Sequence, residues 1–277
     1  MTQRPADGMR PWPEVHGLIL DLDGTVYRGD IPLPGAFEAL ARWRELATPV
    51  VFVTNNSTQS RSEFAAKLNR LGYTVSEEQI VNSAHATGQV LGERYPPGTP
   101  IYVIGAPALV LAVTEAGFEV TDQHAKAVVV GLDRSFTYDK LRTAIRLILA
   151  GADFIQTNPD RLLPHGDQLD PGAGTLMAAV HAGTAHVTSP IVIGKPEPTL
   201  VTLAMRALGS RPEHTVMVGD QLETDIQAGQ RAGLFSVLVT TGVPRGSGSP
   251  IIPDQVIGDL REIPVGRTSG DIDVART

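Results

Sequence analysis

The chain has 277 residues and a formal net charge of −7, from 23 Lys and Arg against 30 Asp and Glu. At ~150 residues per domain, that length suits one large or two ordinary domains that bury a core without covalent staples. The absence of cysteine excludes disulfides, zinc–thiolate sites, iron–sulfur clusters and thiol nucleophiles, and the acidic balance argues against an electrostatic grip on nucleic acid or anionic membrane.

Residues 1–17 carry Pro and charge but no apolar core of a secretory signal, so a cytoplasmic location is expected. The first apolar run, Val15–Leu20, predicts a strand ending at Asp21. A helix follows Pro34 with Phe37, Leu40 and Ala41 on one face. Val50–Val53 predicts the next strand, ending at Thr54. Ser60 and Glu63 have capping-box spacing ahead of Phe64, Leu68 and Leu71, and Gly72 stops that helix.

The middle of the chain repeats this alternation. Ile101–Ile104 reads as a strand, Ala108–Ala116 as a helix ended by Gly117, and Ala127–Val130 as a strand. Tyr138–Ala150 is the clearest helix, with Leu141, Ala144, Ile145, Ile148 and Leu149 on one stripe and Gly151 after it. Phe154–Gln156 is a further short strand. Two stretches low in charge, 95–114 and 171–194, are broken by Pro or filled with Gly, Ser, Thr and His, so neither spans a bilayer.

In the last third, Ile191–Ile193 leads into Gly194-Lys195, Thr215–Val218 into Gly219-Asp220, and Phe235–Val239 into Thr240. Pro253–Ile263 is expected to cover a sheet edge, and residues 265–277 to form a mobile tail. The texture is that of βα units on a mostly parallel sheet. His16, His85, His124, His181, His186 and His214 show no local ligand spacing and read as structural.

In open parallel α/β sheets, ligands bind beyond the carboxyl ends of the strands. Four predicted strands end there in particular polar groups: Asp21-Leu22-Asp23-Gly24-Thr25, Thr54-Asn55-Asn56, Gly194-Lys195, and Gly219-Asp220 with Asp225 five residues on. Each alone has an ordinary explanation as a turn, a helix cap or a solvated lysine. Together they offer carboxylates, an ammonium, a hydroxyl and amides, a set suited to a hard divalent cation and a phosphoryl group.

These motifs resemble those of the haloacid dehalogenase (HAD) superfamily. Val26-Tyr27-Arg28-Gly29, the paired asparagines, Asn158-Pro159-Asp160 and Gly194-Lys195-Pro196-Glu197-Pro198 resemble its NagD-like, p-nitrophenylphosphatase-like branch. The resemblance runs from about Leu18 to Pro253. It implies a three-layer, doubly wound parallel α/β core formed by residues 1–84 and 188–277. A smaller α/β cap domain, residues 85–187, would be inserted after the second motif.

The resemblance further implies a Mg²⁺-dependent phosphatase hydrolysing a small organic phosphomonoester through an aspartyl-phosphate. Asp21 would be the nucleophile and Asp23 the acid and base. Thr54, Asn55, Asn56 and Lys195 would bind the phosphoryl group. Asp21, Asp23 and Asp220 would hold Mg²⁺, with Asp225 in support. In the loop 158–174, Asn158, Asp160, Arg161 and His165, with Asp167 and Asp170, are the candidates for reading the leaving alcohol. The expected partner is a small phosphate ester, with no nucleic acid and no membrane, and a homodimer is favoured over a monomer. The alternatives are a receiver-like phospho-acceptor and a metal-independent dehalogenase on the same fold; the 140-position interval from Asn55 to Lys195 disfavours the first, and Asp23 with Asp220 the second.

Overall fold

The computed structural model describes residues 9–165, 168–242 and 249–266. His165 has its backbone but not its side chain among them, and Asp167 and the expected tail beyond residue 266 lie outside the described residues. By internal contacts the chain divides into two units. One comprises residues 1–54, 64–81 and 196–277, and the other residues 55–63 and 82–195.

The first unit is built on a sheet whose strands run, edge to edge, Gln255–Ile257, Phe235–Val239, Thr215–Gly219, Gly17–Asp21, Val50–Thr54 and Ile80–Asn82. Gly17–Asp21 lies parallel to both of its neighbours, and the strands Phe235–Val239 and Gln255–Ile257 continue the parallel order. Every residue of Gly17–Asp21, Val50–Thr54, Thr215–Gly219 and Phe235–Val239 is buried. That explains why these strands read as unbroken apolar runs rather than alternating ones: both faces of the sheet are covered. The helix Thr199–Leu208 packs on Gly17–Asp21 and Val50–Thr54.

The helix after Pro34 is Ala36–Glu45, and it buries Ala36, Ala39, Leu40 and Trp43. Ala41 is exposed, so the buried stripe is rotated from the expected one and is anchored by the indole. The Ser60–Glu63 box forms as expected, at the start of the helix Arg61–Arg70. Ser60 N donates to Glu63 Oε2 at 2.6 Å and Glu63 N to Ser60 Oγ at 3.2 Å. Gln255–Ile257 is the sheet-edge strand anticipated within 253–263.

The second unit has its own parallel sheet, ordered Ile191–Val192, Asp153–Gln156, Ala127–Val130, Pro100–Ile104 and Glu119–Val120. Ile104, Val128, Val130, Ala144, Ile148, Phe154 and Val180 form its core. The helices Tyr138–Leu149 and Ala173–Thr184 pack together over that layer. Leu162–His165 and Gln168–Pro171 form an antiparallel hairpin within what the sequence suggests is a plain loop. One strand changes place. Ile191–Val192 hydrogen-bonds to Asp153–Gln156, so residues up to Lys195 go with the second unit rather than with an 188–277 segment of the first. The architecture is α/β throughout, with parallel sheets and helices. Among the described residues, no helix is long and apolar enough to cross a membrane.

Candidate active site

Strand register in the first unit sets the depth of each acidic group. Leu20 is level with Val218, so Asp21 is level with Gly219, and Asp220 stands one residue beyond the end of its strand. Asp21 is also level with Val53, which puts Thr54 one step past it on the neighbouring strand. Asp225 follows in the turn Leu222–Ile226 and accepts a hydrogen bond from Gln221 N at 3.1 Å. The result is a cluster of Asp21, Asp220 and Asp225, all buried, each offering one carboxylate oxygen within 4.8 Å of the others.

Three buried carboxylates at this spacing repel one another unless a cation sits among them. Their oxygens are the hard donors that Mg²⁺ selects. Glycines leave the room they need. A Cβ at Gly24, whose φ is +90°, would lie 2.4 Å from Asp220 Oδ2, and one at Gly242 would lie 2.0 Å from the same oxygen. A Cβ at Gly219 would fall 2.2 Å from the Asp225 Cβ. The acidic cluster therefore fits a divalent cation both in chemistry and in the space kept around it. Asp225, expected only to orient ligands, brings its carboxylate into the cluster itself.

The loop after Asp21 is tightly wound. Gly24 N donates to Tyr27 O at 2.8 Å, and Val26 N to Leu22 O at 2.9 Å. The segment after Phe235–Val239 braces it: Thr241 Oγ1 donates to Gly24 O at 3.0 Å, and Arg28 donates to the carbonyls of Thr241 and Gly242 at 2.8 and 2.9 Å. Asp23 retains solvent contact on this loop. Partial desolvation nevertheless raises its carboxyl pKa, against the lowering influence of Lys67, the Gly29 N–H and Arg28. Lys67 lies over the Tyr27 ring, 3.9 Å from its centroid, and 3.7 Å from Asp30. Burial, followed by Asp23, Asp21 and Asp30, pushes the Tyr27 hydroxyl far up, so it stays protonated.

In the second unit, Asn55 and Lys195 form a reciprocal pair. Lys195 N donates to Asn55 Oδ1 at 2.7 Å, and Asn55 Nδ2 donates to Lys195 O at 3.0 Å. The approach requires Gly194, because a Cβ there would lie 2.6 Å from Asn55 Oδ1. Asn158 Nδ2 and Ser83 Oγ both donate to Asn55 O, at 2.8 and 2.5 Å, and Asn55 Nδ2 also approaches the Asp160 carboxylate at 3.2 Å. The Lys195 side chain is buried within this framework.

The sequence-predicted residues thus fall into two groups. Asp21, Asp220 and Asp225 come together in the first unit, with Asp23 and Thr54 on the same strand ends. Asn55, Asn158, Asp160 and Lys195 come together in the second, where Asn158 and Asp160 brace Asn55. Asn56 is exposed, and its Oδ1 accepts from Thr58 N and Oγ1 at 2.8 and 2.7 Å in a local turn. Arg161 is exposed, while its carbonyl accepts from Gly172 N at 2.7 Å. Asp170 lies 3.3 Å from Arg134. The sequence reading missed Thr241, Gly242, Lys67 and Ser83, and gave Arg28 no role beyond the motif that contains it. The only signal for Thr241 and Gly242 was the polar stop after the buried run Phe235–Val239.

Comparison with known proteins agrees with this geometry. Residues 18–119 match the haloacid dehalogenase-like hydrolase family, and residues 192–263 a HAD-hydrolase-like family. The acid sugar phosphatase of Staphylococcus aureus (strain USA300) is 38% identical over 226 residues, covering 81% of this chain and 86% of that protein. The structure of NagD from Escherichia coli K-12 superposes with a TM-score of 0.82 at 33% identity, over 90% of this chain and 98% of that one. Glycerol phosphate phosphatase Rv1692 from Mycobacterium tuberculosis, solved with magnesium, gives 0.83 at 36% identity, over 90% and 76%. The chain belongs to the haloacid dehalogenase-like hydrolases, in their NagD-like branch.

Proposed function

We propose that the chain is a phosphoric monoester hydrolase that releases phosphate from a small organic ester, with Mg²⁺ as cofactor and Asp21 as the nucleophile. The observation that carries this reading is the buried cluster of Asp21, Asp220 and Asp225 beyond the ends of adjacent parallel strands. Asp21 and Asp220, with Asp225 beside them and the Asp23 carbonyl, are the groups that would hold the ion. When bound, Mg²⁺ offsets the repulsion between a carboxylate and the phosphate it attacks.

In the first step a lone pair on an Asp21 carboxylate oxygen forms a bond to phosphorus as the bond to the ester oxygen breaks. Asp23, held neutral more readily than an ordinary carboxyl, passes its proton to the departing alkoxide. In the second step water attacks phosphorus, Asp23 takes up the water's proton, and inorganic phosphate leaves with Asp21 restored as a carboxylate. Thr54, Asn55 and Lys195 are assigned to the phosphoryl oxygens, with Lys195 supplying the compensating positive charge. Similarity to sugar and glycerol phosphate phosphatases supports small phosphate esters as the substrate class.

A panel of sugar phosphates, glycerol phosphate, nucleoside monophosphates, pyridoxal phosphate and p-nitrophenyl phosphate tests the proposal. Phosphate release should vanish with a chelator and return with Mg²⁺. Release from none of them, or release indifferent to the chelator, would overturn it.

A further inference from the structure

Away from the acidic cluster, a second set of ligand-bearing side chains gathers at the starting ends of the two central strands of the first unit. His16 and His214 each immediately precede a strand, Gly17–Asp21 and Thr215–Gly219. The parallel ladder begins between them, with His16 N donating to His214 O at 2.9 Å and Gly17 level with Thr215. Their imidazoles stack with centroids 4.3 Å apart and planes 20° from parallel. Glu14 reaches the same point, its Oε1 lying 3.1 Å from His16 Nε2. One ligand atom from each of Glu14, His16 and His214 lies within 4.8 Å of the other two.

Coordination competes with this stacking, since the rings must turn apart before both lone pairs converge on one ion. His214 Nδ1 lies 3.0 Å from the Glu14 carbonyl oxygen. That oxygen can only accept, so Nδ1 is the donor, and in the neutral ring Nε2 is the atom that offers a lone pair. A backbone carbonyl on the remote ring nitrogen is the usual device that orients a metal-ligating histidine. Glu14 Oε1 and His16 Nε2, paired at 3.1 Å, need only separate slightly to reach the ~3.4 Å between tetrahedral ligands with bonds near 2.1 Å. The backbones of both histidines are fixed at the strand starts, so side-chain rotation alone brings the ligand atoms together. A cavity of about 480 Å³ lined by His16, His214, Arg211, Ser210 and Pro49 adjoins them and leaves space for water or an anion to complete the coordination.

We propose that Glu14, His16 and His214 form a binding site for a borderline transition-metal dication of the zinc, nickel or copper class. Two imidazoles and a carboxylate suit those ions and not Mg²⁺, which prefers oxygen alone. The five-residue strand separates this site from Asp21 by ~16 Å at ~3.3 Å per residue, so the ion acts as a clamp on the strand ends rather than in the hydrolytic chemistry. Binding to the folded chain alone stabilises it by mass action.

The test uses the untagged, full-length protein saturated with Mg²⁺. Titrated with one equivalent of Cu²⁺, it should show an electron paramagnetic resonance spectrum with hyperfine coupling to two imidazole nitrogens, a signature the all-carboxylate cluster cannot give. Zn²⁺ alone should raise Tm, and Zn²⁺ in large excess, needed because Cu²⁺ binds such ligands more tightly, should reduce the copper signal. His16→Gln and His214→Gln should each weaken Zn²⁺ binding by about tenfold or more while leaving Mg²⁺-supported hydrolysis unchanged. A copper spectrum with oxygen ligands only, or Zn²⁺ binding that survives both substitutions together, would overturn the proposal. The wild-type spectrum decides the matter even if a variant folds poorly.

Discussion

Asn55 and Lys195, 140 positions apart, are locked to each other through two hydrogen bonds between one side chain and the backbone N–H and C=O of one residue: Lys195 N to Asn55 Oδ1 at 2.7 Å and Asn55 Nδ2 to Lys195 O at 3.0 Å. Asn55 therefore positions the backbone that carries the buried ammonium. Asn55→Ala removes both bonds, a loss of about 1–3 kcal/mol in stability. At a temperature where the variant stays folded, kcat should fall by at least ~10-fold, with a smaller change in KM. Lys195→Ala should lose more, ~10²–10³-fold in kcat, because it deletes the charge itself. Steady-state kinetics beside thermal unfolding of both variants checks the order.

Gly242 offers a sharper probe of the acidic cluster, since its missing Cβ would stand 2.0 Å from Asp220 Oδ2. Gly242→Ala should displace that carboxylate and raise the Mg²⁺ concentration for half-maximal activity by ~10-fold or more. Because Gly242 lies outside the core strands, Tm should move by only a few degrees. Activity measured against Mg²⁺ concentration gives the answer, and an unchanged midpoint would count against Asp220 as a ligand.

His85 makes stability depend on pH. Burial, with a smaller contribution from Arg61, lowers its pKa from the ordinary value near 6.5 to about 4. Between those values the unfolded chain binds a proton that the folded chain does not, so stability falls as pH drops from about 6.5 and the loss is complete below about 4. Denaturant unfolding across this range should show the slope in the wild type and a flatter one in His85→Gln.

Asp133 acts in a lower window. Burial alone would raise its carboxyl, but hydrogen bonds from Lys140 and from the Ser135 hydroxyl and N–H, with the Lys140 charge, outweigh burial and hold it below the ordinary 3.8. Its contribution is present above that value and is lost as pH falls through the folded one. Lys140 Nζ lies 2.6 Å from Asp133 Oδ2, so Lys140→Met should leave a poorly compensated buried carboxylate and destabilise the protein by about 1–3 kcal/mol at pH 7. Urea unfolding at pH 7 measures it.

The parallel strands were legible because burial on both faces leaves an unmistakable apolar run, as in Val50–Thr54 and Phe235–Val239. The helices Arg61–Arg70 and Tyr138–Leu149 were legible from a capping box and an apolar stripe. Ser83–Arg94 was not, since Ser83, Ala84, Ala86, Thr87 and Gly88 are all buried and leave no polar face to mark a period. Gly88 lets that helix press on its neighbour, where a Cβ would stand 2.9 Å from Ala112 O. Asp21 and Asp220 announced themselves because each stands at the carboxyl end of a strand, with Asp225 five residues after the second. What braces them did not, because Thr241 meets Gly24 only once strands distant in sequence pair side by side, and the same holds for the His16–His214 pair at the opposite strand ends.

The central claim is that an oxygen of Asp21 accepts the phosphoryl group. The most direct measurement is turnover of p-nitrophenyl phosphate with saturating Mg²⁺ by Asp21→Asn, with circular dichroism to establish that the variant is folded. If that carboxylate is the nucleophile, replacing it by an amide reduces kcat by at least ~10³-fold. A folded variant that retains activity within tenfold of the wild type would contradict the account.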